Sequence, residues 1–106
     1  MRNCIPSLLC LGLLAVPPAA AQELPGDPYV GERIARQECA RCHAVERGEY
    51  QLLLLAPPSF QALANNPEHT VAVFRILLTT PHQDMPDLIL DPAEIDDVVS
   101  YVMSLR

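Results

Sequence analysis

The stretch "ECARCH", residues 38 to 43, constrains this chain more than any other. It sets Cys39 and Cys42 three positions apart with His43 directly after the second. Such a spacing serves half of a metal site, a redox dithiol, or a covalent anchor for a prosthetic group. Each choice dictates a different fold. The chain has 106 residues, and a domain of that size buries only part of its surface, so a bound group at its centre would supply much of its core.

Residues 1–21 read as an export signal. Arg2 and the amino terminus make a short positive region, Cys4 to Val16 an apolar run, and Pro17 to Ala21 a small-residue end closing on Ala19-Ala20-Ala21. The apolar run is shorter than the roughly 20 residues that cross a bilayer, which favours cleavage after Ala21 over retention as an anchor. A lipid-modified Cys10 is disfavoured because Leu9 stands where processing requires a small residue. Cys4 and Cys10 then leave with the leader, and residues 22–106 form the folded domain in the periplasm, with no stable membrane insertion after cleavage.

All the basic residues are arginines, and the full chain carries a net charge of −6. Loss of Arg2 with the leader makes the domain one unit more negative. That field disfavours nucleic acid and anionic membranes and suits a protein partner with a basic docking patch.

Three Asx-Pro pairs mark helix starts, because proline in the first turn loses no hydrogen bond and the residue before it can cap the free amides. Asp27-Pro28 opens a segment with Val30 and Ile34 one turn apart that runs into the cysteine motif. Asn66-Pro67 opens a second, with Thr70, Val73, Phe74, Leu77 and Leu78 at helical spacing before Pro81 ends it. Asp91-Pro92 opens the third, with Glu94 placed for a capping box and Ile95, Val98, Val99, Val102 and Leu105 on one face. No segment alternates with period two, and Leu52 to Leu55 lacks any strand to pair with. The pattern predicts an all-α chain with a loop-rich middle from Val45 to Asn65.

Against this frame the three readings of the motif separate. A structural zinc site needs four ligands, and His69 and His82 match no common finger spacing and have no second cysteine pair beside them. A thiol oxidoreductase places its dithiol at a helix start, whereas here the motif follows a helix, where the dipole has the wrong sign to stabilise a thiolate. Covalent haem needs two thiols at this separation for its vinyl groups and an imidazole next in sequence for the iron. Cys39, Cys42 and His43 supply all three. For the opposite axial position Met85 is the candidate, since it lies in a polar segment between Pro81 and Pro86 where packing gives no reason for a methionine. His82 competes with it. Met103 reads as core, and His69, at the third residue of the second helix, as a solvated or first-turn side chain.

"CARCH", "APPSF" at 56–60, "PHQDMPDLIL" at 81–90 and "EIDDVVSYVMSLR" at 94–106 resemble the small bacterial class I cytochromes c over Asp27 to Arg106. The resemblance implies three to four helices around one covalently bound haem c, with the first and last helices crossing where a small residue meets an aromatic one. Gly31 and Tyr101 stand at those positions. It also implies that a proline carbonyl, of Pro57 or Pro58, accepts from the second nitrogen of His43. The chain departs from relatives in having Ala35 where a large aromatic is common, and in lacking lysines for the haem edge. The implied function is a periplasmic single-electron carrier with His/Met-ligated iron, not an enzyme, working between redox partner proteins. The alternatives are a dedicated cytochrome subunit of a dehydrogenase or oxidase complex, and a haem-based sensor.

Overall fold

The computed structural model describes residues 12–17, 23–53, 56–81, 85 and 88–106. Most of the expected leader, including Ala21, and the competing ligand His82 lie outside these residues. The ordered elements are α1 (Pro28–Ile34), continued by a π-helical turn over Ala35–Cys39, α2 (Phe60–Asn65), α3 (Val71–Thr79) and α4 (Pro92–Ser104). Among the described residues there is no strand, so the all-α expectation holds.

The Asp-Pro signals act as their chemistry suggests. The Asp27 carboxylate accepts from the amide of Tyr29 at 2.8 Å, with Pro28 in the first turn. Asp91 and Glu94 form a reciprocal capping box at the start of α4, at 2.8 and 2.9 Å. Caps of this kind contribute about 0.5–2 kcal/mol each.

Asn66-Pro67 behaves differently from its expected role. The Asn66 side chain accepts from the amide of Glu68 at 3.0 Å and its carbonyl from that of His69 at 3.1 Å, closing a turn. Asparagine offers the backbone this alternative to a helix. The helix starts only at Val71, where the Thr70 hydroxyl caps the amide of Val73 at 3.3 Å. The middle region also departs from expectation in part. Its described residues stay irregular up to Pro58, but Ser59 then caps Ala62 at 3.1 Å and opens α2. A helix of six residues is too short to show a period.

Helices α1 and α4 cross at Gly31, which is buried. A Cβ there would lie 1.9 Å from the Asp97 carbonyl oxygen and 2.9 Å from Tyr101 Cβ. The crossing is tied at its edges: the amide of Asp27 donates to Asp97 Oδ1 at 2.7 Å, and that of Gly26 to Ser100 Oγ at 2.7 Å. Tyr101 is buried and its hydroxyl donates to the Val45 carbonyl at 2.6 Å, pinning the segment after the cysteine motif to α4. Below the crossing Phe60, Phe74, Val99, Val102 and Met103 form the core. The carbonyls at the end of α4, which a helix cannot satisfy itself, accept from Arg47, through Ser104 at 2.6 Å, and from buried Gln61, through Leu105 at 2.7 Å.

Candidate prosthetic-group cavity

The π-helical turn delivers the cysteine motif. The amide of Ala40 reaches back five residues to the Ala35 carbonyl at 2.9 Å, and the amides of Cys42 and His43 both turn onto the Cys39 carbonyl, at 3.1 and 2.9 Å. Such wide turns inside helices recur at functional sites. The result brings Cys39, Cys42 and His43 to the border of one cavity of about 550 Å³, within the range of small-molecule and cofactor sites.

The two thiols are unbonded and unequal. Cys39 is buried and Cys42 exposed. Burial, aided by the Glu38 charge, pushes the Cys39 thiol up to about 11. It is therefore protonated at neutral pH, the opposite of the depressed value a thiol-exchange enzyme needs.

His43 is held from two sides. Its Nδ1 lies 2.7 Å from the carbonyl oxygen of Pro58, and the Phe60 ring packs against it at 5.6 Å between centroids. A carbonyl only accepts, so Nδ1 carries a proton, and in the neutral ring Nε2 then keeps its lone pair. That is the tautomer of a metal-ligating imidazole oriented by a backbone partner. Pro57 borders the cavity as well.

The remaining walls come from every helix after α1. Phe60 and Leu63 contribute from α2, Phe74, Leu77 and Leu78 from α3, and Val98, Val99 and Val102 from α4. Met85, half-buried, lines the same cavity together with Leu88. The polar side chains on its described lining, apart from the thiols and His43, are those of Glu38, Arg41 and His69.

His69 is a correction to the sequence reading. It precedes α3 rather than sitting in its first turn, and it is half-buried. Its Nδ1 donates to the Leu63 carbonyl at 2.9 Å, and its ring meets the edge of Phe74 at 5.3 Å. Reading Thr70 as the cap would have placed His69 in the preceding link and signalled this. Among the described residues no group of three or more His, Cys, Asp or Glu could hold a metal ion. No described helix is long and apolar enough to cross a membrane.

The model of the family "Cytochrome c" matches residues 30–106. Among curated proteins, the chain is similar to a cytochrome c-552 of Bradyrhizobium diazoefficiens, with 33% identity over 98 residues, covering 92% of this chain and 92% of the relative. No solved structure gives a significant match.

Proposed function

Since the chain belongs to the cytochrome c family, electron carriers with one covalently bound haem c, we propose that it is a periplasmic carrier whose iron is held between His43 and Met85. Cys39 and Cys42 form the thioether bonds in this reading. The observation that carries it is the convergence of two free thiols, an imidazole with its Nδ1 committed to Pro58, and Met85 on one apolar cavity.

The residues fit a haem. The thiols stand at one border, the walls are mostly aliphatic and aromatic, and His43, beside the thiols, presents Nε2 as a donor atom, whereas Nε2 of His69 faces the Asn66 amide. Bound there, the haem supplies one-electron exchange at its iron. Pro58 and Phe60 hold the His43 ring in place, and the carbonyl hydrogen bond fixes its orientation. The neutral thioether of Met85 favours the ferrous state, and the aliphatic walls disfavour the extra positive charge of the ferric one, so the potential should be fairly high. Held by His43 and Met85 together, the iron would have no position open to small molecules. Because Cys42 is exposed, the group bonded to it would reach the surface there, where electrons would pass to partner proteins bearing a basic patch.

Export rests on the leader pattern in residues 1–21, with cleavage after Ala21. Expression with and without haem-attachment machinery, read by intact mass and visible spectrum, tests the whole reading. The expected product is residues 22–106 plus one haem that resists extraction, with a ferrous spectrum unchanged by carbon monoxide at neutral pH. Extractable haem would refute the thioether assignment, rapid carbon monoxide binding would favour a sensor, and a retained leader would refute cleavage.

A further inference from the structure

Arg106 reaches away from the end of α4 to the link between α2 and α3. Its Nε donates to the carbonyl of Ala64 at 2.7 Å, and one of its terminal nitrogens to the carbonyls of Asn66, at 3.3 Å, and His69. One guanidinium thus holds three acceptors on both sides of Pro67. The hydrogen bonds described within the link are local: His69 to the Asn66 carbonyl, Thr70 to that of Glu68, and Glu68 to the Asn66 side chain. Such contacts shape the turn without setting where it sits against the core. Arg106 sets that together with the contacts of His69 to Leu63 and Phe74, and its own amide is anchored to the Met103 carbonyl at 3.4 Å.

The clamped stretch is also cavity wall. Leu63 and His69, at its two ends, both line the cavity. They are joined by the Nδ1 hydrogen bond of His69 to the Leu63 carbonyl, and the Asn66 amide faces Nε2 at 3.4 Å. Displacing the link would therefore move Leu63 and His69 together and open the cavity from the side of α2 and α3.

We propose that Arg106 is a positioning residue for the haem site: by clamping the α2–α3 link it keeps that wall closed and restrains the entry of small ligands to the iron. The role rests on the haem assignment above, and it acts through the main chain rather than through contact with the cofactor.

The test uses the mature holoprotein and imidazole as the entering ligand. Intact mass and the spectrum of the wild-type protein are read first, so failed haem attachment or failed Met85 ligation is recognised separately from failure of the clamp. Binding of imidazole to the ferric form is then followed by stopped-flow absorbance in Arg106→Gln, Arg106→Lys and Arg75→Gln. Arg75 pairs with Asp96 at 2.8 Å between α3 and α4, and neither residue lines the cavity, so its variant reports a general loss of stability. Because charge-assisted hydrogen bonds to three carbonyls are lost, Arg106→Gln should bind imidazole about tenfold faster or more. Arg106→Lys, which keeps a charge and fewer well-placed donors, should shift in the same direction by less, and it carries the test if the glutamine variant does not accumulate. Arg75→Gln should stay at the wild-type rate even if it melts earlier. Equal changes in the Arg106 and Arg75 variants, or no change in either Arg106 variant, would overturn the proposal.

Discussion

Replacing Gly31 by alanine is the smallest change that tests whether the α1–α4 crossing holds the fold together. The new Cβ would lie 1.9 Å from the Asp97 carbonyl oxygen, 2.4 Å from its carbon and 2.9 Å from Tyr101 Cβ. Real Cβ contacts essentially never fall under 3.0 Å, so the gap at the oxygen must widen by about 1.1 Å. The two nearest obstacles are backbone atoms, which leaves no rotamer to relieve the clash, and the helices must separate. Separation stretches the ties from Asp27 to Asp97 and from Tyr101 to Val45. Alanine recovers about 0.5–1 kcal/mol of helix propensity, but overpacking against a rigid wall costs about 1–3 kcal/mol and sometimes more. Because the obstacle is backbone, the upper end of that range applies, and a net loss of about 2–2.5 kcal/mol, at about 4–8 °C per kcal/mol for a domain of this size, lowers Tm by roughly 8–20 °C. Gly48→Ala serves as a control, because Gly48 has φ of +76° with nothing within 4 Å of its would-be Cβ. It carries only the backbone penalty of about 1–2 kcal/mol. Thermal unfolding by circular dichroism of the holoprotein measures both. A Gly31→Ala protein that melts within about 2 °C of wild type would refute the crossing argument.

Met85→Ala should retain covalently attached haem by intact mass while losing the weak far-red band of sulfur-ligated ferric haem; persistence of that band would assign the sulfur elsewhere. Tyr101 donates to the Val45 carbonyl, and burial, followed by the Glu46 and Glu32 charges, raises its phenol above the usual 10.0. Its contribution is thus complete below about pH 10 and fades as pH rises through the folded-state value. Tyr101→Phe should lower stability by about 1 kcal/mol at neutral pH and flatten its alkaline decline. Denaturant titrations that keep the wild-type alkaline slope in the phenylalanine variant would contradict this origin.

How far each feature could be read from sequence depended on how local its cause is. Asp27-Pro28 and Asp91-Pro92 announce helices because cap and first turn lie within four residues. Asn66-Pro67 carries the same letters of signal, but asparagine spent its side chain on a turn, and Thr70 took over the capping. Helix α2 escaped notice because it buries only Phe60, Gln61 and Ala64, too few positions for a repeat. The cysteine motif was legible for the same reason as the good caps: its spacing alone carries the chemistry. The residues facing it were less so. Pro57 and Pro58 are chemically alike neighbours, and only the path of the chain across the His43 ring puts the Pro58 carbonyl on Nδ1. The placement of His69 on the cavity depends on Leu63, Phe74 and Arg106, contacts that span up to 37 positions.

The wide turn over Ala35–Cys39 works as a phase adjuster between two modules. One residue of a regular helix corresponds to about 100° of rotation, so the extra residue taken up there changes the direction in which everything downstream points relative to Gly31. The face that meets α4 and the face that presents the thiols are thereby set independently, although a single helix carries both. A designer who grafted residues 39–43 onto a straight helix at the same distance from a Gly31-type contact would inherit the spacing of the motif and lose its aim. In lineage terms, single-residue insertions or deletions between positions 31 and 39 should be tolerated far less than substitutions there.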